Sequence, residues 1–341
     1  MRLHIPGIGL VFLLYSLFIA PLYAETAPAL KISGSVNHPL VIRTKNLARF
    51  QALDVQLNEI TSNQEYHGAF IFHGVPLKAL LALANIEKKD TDFNKPVDLA
   101  VIVKNQAGES VALSWGEIFF KNPENVVIAT SADPILPHKG LDHFKDKQAF
   151  HKMMETLNRK IGFPKLIVTG DFHTDRCIEN VTEIIVHDLR PDVPGKKSPS
   201  PFSKTFSVFG RVENPKTFEK LPEHTPAELP CHIVGEGRGF HGTHTFGGMP
   251  LKGIIQASKP DLNLNTVFLI SAPDAYRALV SYGELFLNPY GNRILVADHS
   301  NGKTLKEDGQ FILVLPDDLM ADRMVKAVCK IEVIHLDLPV E

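Results

Sequence analysis

The chain has little cysteine: only Cys177, Cys231 and Cys329, far apart and odd in number. At most one disulfide can form among them, which excludes a disulfide-built scaffold and leaves a thiol free, shielded or engaged as a ligand. No sign of charge prevails. Lys and Arg total 36 against 38 Asp and Glu, mixed along the chain, so no broad basic face recommends nucleic acid and no acidic tail a basic partner. A Cys-x-x-Cys-His haem motif and a Gly-x-Gly-x-x-Gly turn after a strand are both missing, so neither a c-type haem nor a dinucleotide is signalled. Past the first two dozen residues no apolar run is long enough to cross a bilayer.

What is present begins with export. Arg2 precedes an apolar run from Ile8 to Ala20, followed by Pro21 and the small residue Ala24. This is the form of a secretory signal peptide over residues 1–24, too short for a membrane anchor, and it predicts a periplasmic or secreted mature protein with no transmembrane segment after cleavage. No Arg-Arg pair precedes the run, so the signal is of the Sec type and not a twin-arginine one.

The remaining residues repeat themselves. "LKISGSVNHP" (Gly34, Val36, Pro39) answers to "FSVFGRVENP" (Gly210, Val212, Pro215). "YHGAFIFHGVPLKALL" from Tyr66 shares seven of 16 positions with "FHGTHTFGGMPLKGII" from Phe240. "SWGEIFF" from Ser114 matches "SYGELFL" from Ser281, and "TDRCIENVTEIIVHDL" from Thr174 matches "ADRMVKAVCKIEVIHL" from Ala321. A repeat fixes the domain plan before any element is assigned. Two tandem mixed α/β (α+β) domains are expected, at 25–190 and 202–341, joined by the Pro- and Ser-rich linker 191–201. The first carries an insert at about 134–164 that reads as one amphipathic helix. Each copy should hold a helix after its Gly-x-Pro-Leu turn, with Leu77, Leu80, Leu81 and Ala84 on one face in the first and Leu251, Ile254 and Ile255 in the second.

These pieces, the "GVPLKALL" and "GMPLKGII" turns, the Ser-x-x-Glu helix starts, "NGKTLKEDGQFILVLP" and the closing strand "KIEVIHLDL", resemble the molybdopterin-binding domain of sulfite oxidase and related enzymes, over about 30–188 and 206–336. The resemblance implies a compact, strand-rich fold. In catalytic members it implies a molybdenum or tungsten pterin held by one cysteine thiolate, and Cys231 stands roughly where that ligand would come. The first copy has no cysteine in the comparable segment, and the loop after Cys231 offers His232, Gly235, Glu236, Gly237 and Arg238 in place of the patterns associated with enzymatic members.

Other readings of the same stretch stay open. Glycines between Gly235 and Gly248 let backbone N–H groups converge on an anion, with His232, Arg238, His241, His244 and Arg323 completing a cofactor or oxyanion pocket; the plainer alternative is a loop that packs closely for lack of side chains. Cys231, His232, His241 and His244 are ligand types for zinc or copper, although no compact four-ligand motif exists. His67 and His241 are repeat-equivalent, which favours a shared structural hydrogen bond. Asp175-Arg176 and Asp322-Arg323 recur ahead of each closing strand and read as structural ion pairs. Trp115 and Tyr282 read as packing, and Cys177 and Cys329 as buried thiols. Two functions are therefore expected in competition: a cofactor-free binding module for a small anion, a metal or a periplasmic protein, or a molybdopterin-dependent oxidoreductase working through Cys231.

Overall fold

The computed structural model describes residues 29–336, apart from 90, 191, 195–200, 224–226, 236–238 and 307–308. The signal-peptide segment, Arg238 and most of the linker lie outside the described residues.

The first half opens with β1 (Ala29–Gly34), β2 (Leu40–Arg43), β3 (Leu53–Ile60) and β4 (Tyr66–Pro76), then helix α1 (Leu77–Ala84). It continues with β5 (Leu99–Asn105), β6 (Ser110–Ser114), α2 (Trp115–Phe119), β7 (Val126–Pro134), α3 (Lys147–Leu157), β8 (Lys165–Val168) and β9 (Val181–Asp188). The second half runs β10 (Phe206–Gly210), β11 (Lys216–Phe218), β12 (Ala227–Gly235), β13 (Gly239–Pro250), α4 (Leu251–Gln256), β14 (Thr266–Ser271) and β15 (Arg277–Ser281). After a helical turn at Gly283–Leu287 come β16 (Leu295–Ser300), β17 (Lys303–Thr304), β18 (Ile312–Val314), β19 (Val325–Lys326) and β20 (Lys330–His335).

Strand order follows one scheme in both halves. One sheet is β2-β1-β9-β5-β6 in the first and β11-β10-β20-β14-β15 in the second, each with a single parallel pair, β1 with β9 and β10 with β20. The other is β3-β4-β7-β8 in the first, against β12-β13-β16-β18-β19 in the second. Both halves are mixed α/β, as the alternating and helical patterns require.

The repeated turn shows why sequence and fold agree here. β4 and β13 run straight into α1 and α4, whose expected faces, Leu77, Leu80, Leu81 and Ala84 and then Leu251, Ile254 and Ile255, are fully buried in the core of their own half. Gly74 and Gly248 lie where the next strand crosses: a Cβ would fall 2.4 Å from the Ile128 carbonyl oxygen in one and 2.2 Å from that of Val296 in the other. Only glycine permits that approach.

The insert differs from expectation. β7 extends through Pro134, and the helix is confined to α3, where Asp146 caps it by accepting from the Ala149 N–H. Pro137 and Gly140 stand in the connecting stretch, and both disfavour helix interiors, which limits α3 to the run after its cap.

The two halves meet on their first-named sheets. Ala100, Ile102 and Ala112 of one half pack against Val267, Leu269 and Leu279 of the other in an apolar layer. Beside it the contacts are exchanged. The Phe172 N–H donates to the Leu287 carbonyl at 3.0 Å, and the Leu319 N–H donates to the Phe120 carbonyl at 3.1 Å. By the repeat, Phe172 corresponds to Leu319 and Phe120 to Leu287, so each half gives the other the same bond. A second exchanged pair has diverged: Arg277 bonds Asp98 at 2.7 Å in a buried ion pair, whereas the equivalent Ser110 and Asn265 share a neutral hydrogen bond of 2.8 Å.

Candidate functional site: a polar cleft at the seam

The Ser-x-Gly-Glu starts build the polar floor of this seam. In the first half Ser114 caps α2 by accepting from the Glu117 N–H, while the Glu117 carboxylate accepts from the Ser114 N–H, a reciprocal capping box. The second half repeats it with Ser281 and Glu284. Each box then reaches across. The Ser114 hydroxyl donates to Glu284 at 2.6 Å, and Ser281 hydrogen-bonds Glu117 in return.

Two buried arginines lock the arrangement. Arg176 is held by both oxygens of Asp171 at 2.7 Å each and by Glu117 at 2.9 Å. Arg323 is held by both oxygens of Asp318 at 2.7 Å each, by Glu284 at 2.9 and 3.1 Å, and by the Ser114 hydroxyl and Leu279 carbonyl. Both guanidiniums lie against the opposite half's glycine: a Cβ on Gly116 would come 2.1 Å from Arg323 Nε, and one on Gly283 would come 1.9 Å from Arg176 Cζ. The motif's three constant residues are thereby explained, with serine capping and crossing the seam, glycine admitting an arginine, and glutamate holding its own half's arginine.

The arginines' partners correct the sequence reading. Arg176 and Arg323 are structural ion-pair residues, but their carboxylates are Asp171 and Asp318, five positions upstream, and not the adjacent Asp175 and Asp322. Asp175 instead accepts from Ser62, and Asp322 pairs with Lys95 across the seam. Arg323, read as an oxyanion contact, has its Nε and both amino nitrogens engaged within the protein, so its donors are directed away from any anion.

The two Ser-Glu-Arg clusters are not electrically equal. Burial pushes the Glu117 carboxyl up, Arg176 opposes, and the Glu284 charge adds to the rise, bringing it to about 7. Burial acts in the same sense on Glu284, yet Arg323, Ser114 and Lys121 hold that carboxyl below its ordinary range. Of the two carboxyls, Glu117 is thus the one whose surroundings favour the protonated form. Since a raised carboxyl pKa means that the folded state binds a proton the unfolded chain has released, stability falls as pH rises from about 4.5 to about 7 and levels off above. Glu117→Gln should flatten that window, so denaturant midpoints of variant and parent are expected to converge toward pH 5 and to separate in the variant's favour at pH 8; parallel curves would contradict this.

Above the arginines opens a cleft of about 640 Å³. Lys121, Thr169, Gly170, Asp171 and Phe172 line it from the first half, and Asn288, Tyr290, Arg293, Asp317 and Asp318 from the second. Phe172 is 73% and Tyr290 68% exposed, two large rings at the rim of a polar floor. Arg293 pairs with Asp317 at 2.8 Å and Lys121 with Asp318 at 3.1 Å. Nothing in the linear sequence assembled this site, because its walls come from segments more than a hundred residues apart. The available signal was the recurrence of Asp, four residues, Arg in "DFHTDR" and "DLMADR", each preceding a closing strand.

The residues singled out around Cys231 lie elsewhere and do not converge. Cys231 is buried on β12 among Phe246, Ala297, Ile312 and Val314. Burial, with the Asp318 and Asp317 charges, pushes its thiol up to about 11. His232, next along the strand, points to the opposite face, as strand alternation demands, and its ring bonds the Thr243 hydroxyl at 2.8 Å. His244 faces Cys231 in register across β13, with its ring near Phe246. The His241 ring bonds the Gly235 carbonyl at 3.2 Å, while its repeat-equivalent His67 lies by Glu65, so the expected shared bond is not formed. Adjacent strand residues cannot serve one ion from opposite faces, so the four-ligand zinc or copper set of Cys231, His232, His241 and His244 is not assembled. Among the described residues no group of three His, Cys, Asp or Glu side chains could hold a metal.

The fit to a molybdenum pterin is poor on the same grounds. Cys231 packs among apolar side chains, and not among the cationic and polar groups that flank an open ligand thiolate. Cys177 and Cys329 are half-buried, the first accepting from the Val168 N–H and the second donating to the Ser271 carbonyl. Trp115 and Tyr282 stack on Phe119 and Phe286 one turn along, as packing residues.

No family model matches the chain, and no curated protein matches it. Among solved structures, the crystal structure of the sulfane dehydrogenase SoxCD from Paracoccus pantotrophus is similar over 92% of this chain and 78% of that one, at 11% identity and a TM-score of 0.33. Among the described residues no helix is long and apolar enough to cross a membrane.

Proposed function

We propose that this chain is an exported, cofactor-free binding module, made of two tandem copies of a sulfite-oxidase-like domain, whose ligand enters the cleft between them. The observation that carries the reading is the placement of Cys231: the one cysteine positioned like a metal ligand is sealed in an apolar cluster, outside the residues that line the cleft. A protein using the family's redox chemistry would need that thiolate at an open, polar site. The cleft offers the features of a ligand site in its place, a concave polar floor between aromatic side chains at the junction of two units.

The competing reading, a molybdopterin-dependent oxidoreductase working through Cys231, is tested directly. Mature protein purified from its native compartment, beginning near residue 25, should contain no stoichiometric molybdenum or tungsten, and Cys231→Ala should leave its metal content unchanged. Stoichiometric molybdenum that disappears in the variant would overturn the binding-module reading.

A further inference from the structure

The seam is built twice, but one of its cations is supplied once. Around Arg323, the carboxylates of Asp318 and Glu284 are joined by Lys121, whose ammonium sits 3.1 Å from Asp318 Oδ1. The repeat places Asn288 at the position equivalent to Lys121. Its amide nitrogen lies close to Gly170, where an added Cβ would be 3.2 Å away, immediately before Asp171. Asp171 grips Arg176 through the same two atoms and at the same 2.7 Å as Asp318 grips Arg323. Among the described residues no lysine pairs with this second carboxylate, which leaves Asp171 and Glu117 sharing one guanidinium.

We infer that the cleft binds an organic ammonium ion, whose charged head takes beside Asp171 the place that Lys121 takes beside Asp318, and whose carbon chain lies along Phe172 and Tyr290. This rests on the cleft being the ligand site. A primary amine satisfies what the floor lacks, a compact donor cation. The exposed rings offer apolar surface and a negative π-face to the same ligand. Arg293 and Asp317 neutralise one another at the rim and favour neither sign.

The experiment is calorimetric titration of the full chain with n-butylammonium chloride, with n-butanol and sodium n-butyrate as size-matched probes, repeated on Asn288→Lys and Phe172→Ala. Saturable binding of the amine is expected, at least tenfold tighter than of either other probe. Asn288→Lys should weaken it at least tenfold, by supplying the ammonium from within. Phe172→Ala, at an exposed position that leaves the fold intact, should weaken it by about three- to thirtyfold, the range of a cation–π contact. Equal binding of butanol, or amine binding indifferent to both substitutions, would overturn the assignment. Butyrate binding that Phe172→Ala abolishes would overturn the cation while leaving a ligand cleft in place, and the molybdenum assay separately tests the module reading.

Discussion

Arg323→Ala should lower stability by about 3–5 kcal/mol, the cost of removing one partner from a buried ion network and leaving the others charged and dry. Asp318 and Glu284 would lose the guanidinium that neutralises them both, and the Ser114 hydroxyl would lose a donor. Lys121, partly exposed, could offset only part of that. Because the side chain also fills space against Gly116, the loss reaches the other half, so a single denaturation transition with a lowered midpoint is expected by circular dichroism and by tryptophan fluorescence, since the chain's one tryptophan, Trp115, adjoins that glycine. A change under about 1 kcal/mol would mean the network is solvated and the exchanged geometry unimportant.

Gly283→Ala should be nearly as damaging, by a different route. Its methyl group would be placed 1.9 Å from the Arg176 Cζ, and that guanidinium cannot swing aside without releasing Asp171 and Glu117. Overpacking of a close contact ordinarily costs about 1–3 kcal/mol, and more is expected where the obstructing group is itself fixed by charge. The same substitution at Gly253, where the nearest obstacle is the end of the Met249 side chain at 2.9 Å, should be tolerated. Urea denaturation midpoints of the two variants, measured together, distinguish a specific seam effect from a general dislike of alanine.

How much of this could be read in the sequence depended on the range of each interaction. The Gly-x-Pro-Leu helices were legible because about two consecutive turns of apolar spacing and one core decide them. The closing strands were legible from alternation. Ser114 and Ser281 were visible as helix starts, since a capping box closes within four residues. The glycines inside those motifs were visible as repeats without a reason, because the reason is an arginine from the opposite half. The arginines were recognised, but given the wrong carboxylates: neighbours in sequence seldom face each other, and Asp175 and Asp322 turn to Ser62 and Lys95. The histidines and Cys231 looked like a ligand set because proximity along a chain ignores the two faces of a strand. Asp98 and Arg277 gave no signal, because two residues 179 positions apart in the chain have no local signature.

The exchanged contacts across the seam have the form of an isologous dimer interface, in which residue i of one partner meets j of the other and j meets i. In a true dimer any substitution is imposed on both sides of the axis together. A covalent link between the partners removes that constraint, and the seam displays the result: Arg277 with Asp98 on one side where Ser110 meets Asn265 on the other, and Lys121 on one side where Asn288 stands on the other. Joining the halves is what allows one symmetric surface to carry a single, directional site.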